Sequence, residues 1–190
     1  QCVLRLHMFH LLQTVSLSTI DRDVGVPSRG LHGEAYRGHI FWDELFIFPY
    51  LNLRLPELTR ALLMYRYRRL PEARVAAREA GYDGAMYPWQ SGSDGREESQ
   101  VVHLNPKSGR WVPDDTHRQR HANAAIAYNV WQYYQATADW EFLAFYGAEM
   151  ILEIARFWVS LAEYNAERDR FEIHGVVGPD EFHTQYPGRD

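Results

Sequence analysis

Cysteine is almost absent from this chain of 190 residues, Cys2 being the only one. A single thiol excludes an internal disulfide and any cysteine-rich metal site, and it suits a reducing cytoplasm. Long apolar runs are missing too. None reaches the ~20 residues needed to cross a bilayer, and the N-terminus lacks the basic start and cleavage site of a signal peptide. Positive charge is in short supply, with 20 Lys and Arg against 25 Asp and Glu, a net charge of −5 and a pI near 6.0. No basic stripe extends beyond Arg66, Arg68 and Arg69, which argues against nucleic acid as a partner. The expectation is a cytoplasmic protein with neither a membrane nor a nucleic-acid partner.

What is present reads as a folded enzyme-sized piece. Hydrophobic residues make up 46% and charged residues 24%, a globular balance that argues against disorder. Aromatics reach 14%, with six Trp and twelve Tyr. Such side chains fill a large core, or they line a cleft that stacks on sugar rings, since each pairs an apolar face with a polar tip. Gln1-Cys2-Val3-Leu4 starts inside an apolar helical pattern, and the far end stops in a Tyr186-Pro187-Gly188 loop. The chain therefore reads as a fragment of a longer protein, cut at both ends.

Periodicity predicts mostly helix. Leu4, Met8, Leu11, Leu12 and Val15 share one face of a first helix. Residues 18–29 read as a loop, and the three glycines of Gly30–Gly38 as an irregular one. From Ile40 to Leu53 the chain is almost continuously apolar, which predicts a helix buried on most sides and bent or ended near Pro49. Pro56 and Pro71 open two more helices. The first buries Leu58, Leu62 and Tyr65, and the second stops at Gly81. Gly84 to Trp111 is a long loop rich in Gly, Ser and Asp, the kind that carries function. Thr116 and Gln119 predict a capping box for a helix burying Ala127, Val130, Trp131 and Tyr134. Asp139 caps the last helix, which buries Leu143, Met150, Ile151, Ile154, Trp158 and Leu161. Strand signal is confined to residues 100–102 and 170–173. Long connections follow alternate helices, which would gather Gly30–His39, Gly84–Trp111 and Gly178–His183 at one end of a mainly α array.

Little in the chain supports metal or nucleophilic chemistry. His117 and His121 lie four apart, but no carboxylate or third ligand accompanies them. Ser91 lacks the strand–turn–helix context of a nucleophile elbow. Carboxylates beside aromatics remain. Asp43 follows Trp42 in an apolar segment, where an unpartnered ionised group is costly; either Arg37 satisfies it or it lines a polar cleft. Trp89 either plugs its loop onto the core or forms a stacking platform, and Glu97 and Glu98 in the same loop read first as solvated charges. Gly178-Pro179-Asp180-Glu181-Phe182-His183 is a stiff turn. It is either a solvated acidic turn or the seat of a desolvated Glu181 whose pKa is raised for general-acid work.

His32-Gly33-Glu34-x-Tyr36-Arg37-Gly38-His39-x-Phe41-Trp42-Asp43, then Pro88-Trp89-x-Ser91, then Gly178-Pro179-Asp180-Glu181-Phe182-His183 together resemble the catalytic domain of glycoside hydrolase family 65. That family holds maltose, trehalose and kojibiose phosphorylases and some hydrolases. Each motif alone is common, whereas the three in order span nearly the whole chain. The resemblance implies an (α/α)6 barrel, a six-hairpin toroid, of which residues 1–190 would form about the first half as a single piece. It implies Glu181 as general acid, with Arg37, His39, Trp42, Asp43, Trp89, His121 and Asp180 holding a disaccharide, and Asn123 near His121. It implies no metal and no cofactor, with inorganic phosphate as co-substrate in a phosphorylase. The implied partners are the rest of the barrel and, in some arrangements, a second copy of the enzyme as a homodimer. Gln90 departs from the Glu usual in the phosphorylases, and a later Lys-Gln motif and phosphate loop would lie beyond Asp190. The piece alone is expected to be inactive.

Overall fold

The computed structural model describes residues 1–30 and 36–179. The described chain is mainly helical: α1 (Cys2–Thr14), α2 (Glu44–Arg54), α3 (Pro56–Arg68), α4 (Leu70–Glu79), the hairpin β1 (Val102–Asn105) and β2 (Arg110–Pro113), α5 (His121–Thr137), a short α6 (Trp140–Phe142), α7 (Ala148–Leu161), and the hairpin β3 (Glu163–Asn165) and β4 (Arg170–Glu172). A π-helical turn, Leu143–Gly147, joins α6 to α7. Helices α2, α3 and α5 pack on one another, and α7 lies against α5 and α4. Their shared core includes Phe48, Leu51, Leu62, Ile126, Val130, Phe142 and Met150.

Helix starts follow local chemistry. Pro56 stands in the first turn of α3 and Pro71 in that of α4, where a missing N–H costs nothing. Gly81, at φ +84°, ends α4: its N–H reaches the Arg78 carbonyl and the Tyr82 N–H reaches that of Ala77, using up carbonyls the helix leaves open. Asp139 accepts the Phe142 N–H at 2.9 Å as the expected cap. It also takes the Tyr133 hydroxyl and the Arg60 guanidinium, so this cap ties α3, α5 and α6 together.

Several expectations fail. Helix α1 forms but buries no residue, and Leu4 and Leu12 are exposed; a periodic stripe specifies a helix without saying what covers it. Helix α2 neither ends at Pro49 nor is buried on most sides: it runs through Pro49 to Arg54, with Phe46 69% and Leu53 77% exposed. No capping box forms. Thr116 opens a 3-10 turn whose N–H is taken by Asp114, and α5 starts only at His121. The face α5 buries carries Ala122, Ala125, Ile126, Asn129, Val130 and Tyr133, while Trp131 is 46% exposed. In α7, Phe157 is buried rather than Trp158. The strand signals are real, but each needed a partner the pattern did not show: β1 pairs with β2, and β3 with β4, both antiparallel.

One buried ion pair fixes the start of α2. Arg66 and Glu44 are each 1% exposed. The Arg66 Nε and Nη2 both donate to Glu44 Oε2, at 3.1 and 3.0 Å, and Nη2 also donates to the Phe41 carbonyl at 2.8 Å. Burial raises the Glu44 carboxyl, while the Arg66 charge and hydrogen bonds oppose the shift. Removing one partner of such a pair leaves an uncompensated charge in the core. Glu44→Ala in the full-length protein is therefore expected to destabilise by about 3–5 kcal/mol in urea unfolding, and a loss below about 1 kcal/mol would show that the pair is not holding α2.

Candidate sugar-binding cleft

The cleft lies at the N-terminal end of α2. Phe41, Trp42 and Asp43 enter that helix, pinned from behind by Arg66. Trp89 arrives from the long loop and His121 from the first residue of α5. The Trp42 and His121 rings meet edge to face with centroids 4.6 Å apart; Trp89 lies 5.0 Å from His121 and 5.4 Å from Phe41. Phe41, Trp42, Asp43 and Trp89 border a cavity of about 360 Å³, lined also by Arg37, Gln90, Glu98 and Asp114, with His121 packed behind the tryptophans. Trp89 is only 6% exposed, so it serves the core and the cleft wall at once.

Asp43 occupies the N-cap position of α2, yet its side chain makes no cap hydrogen bond. Its carboxylate faces the cleft instead. Burial raises its pKa, opposed in part by a hydrogen bond from its own backbone. No ion pair joins it to Arg37 among the described residues, so of the two roles open to Asp43 the geometry shows the polar cleft.

The long loop is held by inward-turned side chains. Glu97 accepts the Trp89 N–H at 2.7 Å, the Gln90 N–H at 3.0 Å and the Ser99 hydroxyl at 2.7 Å. It is an exposed loop charge, as expected, that also staples the loop. Asn123, fully buried, accepts the Tyr87 N–H at 2.6 Å and donates to the Tyr87 carbonyl; its role is to hold the loop onto α5. Ser91 exchanges backbone hydrogen bonds with Ile40, which ties the loop to the segment leading into Trp42.

His121 has both ring nitrogens buried without a partner of hydrogen-bonding geometry. Burial lowers its pKa, and the nearby Val177 backbone offsets this only in part. The imidazole packs against both tryptophans behind the cleft wall. Val177 itself is buried, and its N–H donates to the Arg118 carbonyl at 3.0 Å. That bond brings the start of the third loop beside α5. Asp180 and Glu181 lie outside the described residues.

The structure thus brings Arg37, Trp42, Asp43 and Trp89 to one cavity, with His121 against the two tryptophans. It adds Gln90, Glu98 and Asp114, which the sequence reading did not place in the cleft. Glu98 had a signal, sharing a loop with Trp89. Asp114 had none, because it enters through the end of the unforeseen strand β2. His39 is near but turned toward protein partners rather than the cavity.

The chain belongs to glycosyl hydrolase family 65, whose central catalytic domain matches residues 5–187. It is 61% identical over 188 residues to an uncharacterized glycosyl hydrolase of Mycobacterium tuberculosis, covering 99% of this chain and 14% of that protein. It is 47% identical over 191 residues to trehalose 6-phosphate phosphorylase of Lactococcus lactis, covering 100% of this chain and 25% of that enzyme. A solved putative kojibiose phosphorylase from the human microbiome superposes with a TM-score of 0.70 at 31% identity, over 84% of this chain and 20% of the other. The chain thus spans about a quarter or less of the length of these relatives.

Asp43→Asn in the full-length protein is expected to lower kcat/KM by roughly 1–3 kcal/mol equivalent, the contribution of a hydrogen bond to a charged group. Because burial raises the Asp43 carboxyl, its carboxylate is lost on acidification at a higher pH than an exposed aspartate's, and Asn at this position should remove that acid limb from the pH profile. Kinetics unchanged by the substitution would assign Asp43 to structure.

Proposed function

We propose that this chain is part of the catalytic domain of an inverting α-glucoside phosphorylase acting on a disaccharide, and that it supplies the first part of an (α/α)6 barrel. The observation that carries the reading is the cleft of Trp42, Asp43 and Trp89, backed by His121, with the third loop anchored to the Arg118 carbonyl through Val177. Four residues of chain span at most about 14 Å, so an anchored Val177 supports bringing Glu181 to the same cleft. The family membership and the phosphorylase relatives favour phosphorolysis.

In this reading the tryptophans stack on the non-reducing glucose, and Asp43, Arg37 and His121 take its hydroxyls. Glu181, protonated, donates to the glycosidic oxygen while a phosphate oxygen attacks the anomeric carbon from the opposite face. The bond to the leaving sugar breaks as the bond to phosphate forms, and inversion turns the α-linkage into a β-glucosyl phosphate. Phosphate is already anionic, so no second carboxylate is needed as base. Asp180 would stand beside the acid as a further sugar ligand. The relatives point to kojibiose and trehalose 6-phosphate as the first disaccharides to try.

Glu181→Gln in the full-length protein is expected to cut disaccharide phosphorolysis roughly 10²–10⁴-fold, the usual contribution of a positioned proton donor. Glucosyl fluoride, whose leaving group needs little protonation, should lose much less. Wild-type rates on the disaccharide would place the acid elsewhere. Equal losses on both substrates would make Glu181 a sugar-positioning group. Turnover that does not depend on phosphate would make the enzyme a hydrolase.

A further inference from the structure

His39 was expected as a sugar ligand, yet both of its ring nitrogens are already engaged. Nδ1 lies 2.7 Å from the Tyr36 carbonyl and Nε2 2.5 Å from Glu98 Oε2. A carbonyl can only accept, so Nδ1 carries a proton and donates it. Nε2 then faces the Glu98 carboxyl in a short hydrogen bond. The segment so gripped is unusual. Tyr36, Arg37 and Gly38 lie in succession at φ +59°, +51° and +75°, a left-handed run that non-glycine residues adopt only when their surroundings impose it. The Tyr36 ring is held edge to face on Phe41, with centroids 5.0 Å apart.

Glu98 has a place prepared for it. A Cβ built on Gly92 would fall inside the Glu98 carboxylate, so the glycine is what lets Glu98 fold back toward His39. The Glu98 N–H donates to the Gln90 carbonyl at 3.1 Å, which fixes the base of its side chain to the Trp89 loop. Arg37, at the centre of the gripped turn, lines the cleft. Among the described residues no carboxylate pairs with it.

We propose that His39 and Glu98 form a clamp between the two loops that fixes Arg37 in the cleft, acting as positioning residues for sugar binding rather than as sugar ligands themselves. The proposal rests on the reading of the cleft as a sugar site. Glu98 acts through Arg37, so its loss and the loss of Arg37 are not independent.

A double-mutant cycle in the full-length protein tests this, with glucose as the probe and its Kd read from intrinsic tryptophan fluorescence. Arg37→Ala and Glu98→Ala are each expected to weaken binding about tenfold, as for loss of one charge-assisted hydrogen bond. The double variant should also lose about tenfold rather than a hundredfold, because coupled residues are non-additive. Gly92→Ala, which keeps both charged groups but displaces Glu98, should weaken binding alone and be silent in the Glu98→Ala background. This arm also separates displacement from a general loss of folding. Multiplying losses, an unchanged Kd in Glu98→Ala, or a Gly92→Ala effect that persists without Glu98 would overturn the clamp. A wild type that binds no glucose would sink the sugar-site reading together with the clamp. One that binds glucose while the losses multiply would sink the clamp alone.

Discussion

The guanidinium of Arg66 is the constraint on which the rest depends. It lies in the core, where a buried charge is costly unless paired; its Nε and Nη2 bonds run to Glu44 and to the Phe41 carbonyl, while Nη1 has no partner among the described residues. Those bonds lock the entry into α2 against α3. Trp42 and Asp43 sit between these two anchors and have little freedom to turn elsewhere. The Arg66 backbone carbonyl in turn accepts the Tyr87 hydroxyl at 3.1 Å, which brings in the long loop, and Asn123 grips that loop from the α5 side. Three stretches distant in sequence thus meet at one cleft through a few buried polar contacts. Apolar packing supplies the bulk of the stability, while these polar contacts supply the register.

Inward-turned carboxylates divide the work around that cleft. Glu44 holds the helix, Glu97 holds the loop, Glu98 meets His39, and Asp43 stands open to the cavity without a cap bond. A chain with more acids than bases therefore uses several of them as fasteners, Glu44 in the core and Glu97 and Glu98 at the surface. The open one is the exception that the functional reading relies on. The His121 ring, wedged between Trp42 and Trp89, backs the cleft wall.

Much of this was legible in the sequence, and the limits have physical causes. Pro56, Pro71, Gly81 and Asp139 act through local backbone chemistry, so their helix boundaries could be read directly. Trp42, Asp43 and Trp89 were legible because a polar group inside an apolar run, or an aromatic in a Gly-rich loop, needs a reason. Which face a helix buries was harder to read, since Trp131 and Phe157 have periodicities compatible with more than one neighbour. The exposed faces of α1 and α2 show the same limit. Strand β2 and the role of Glu98 depend on partners far away in sequence. Asp43 invited a search for an Arg, but the Arg–carboxylate pair belongs to Glu44, one residue on, because burial separates adjacent side chains on a helix.

The most direct measurement is a crystal structure of the full-length enzyme with a disaccharide and a phosphate mimic. The account predicts the non-reducing glucose against Trp42 and Trp89, with the Asp43 carboxylate on its hydroxyls. It also predicts the Glu181 carboxyl within about 3 Å of the glycosidic oxygen, the reach of a general acid. A sugar bound away from these two tryptophans, or a Glu181 turned out of the cleft in that complex, would contradict it.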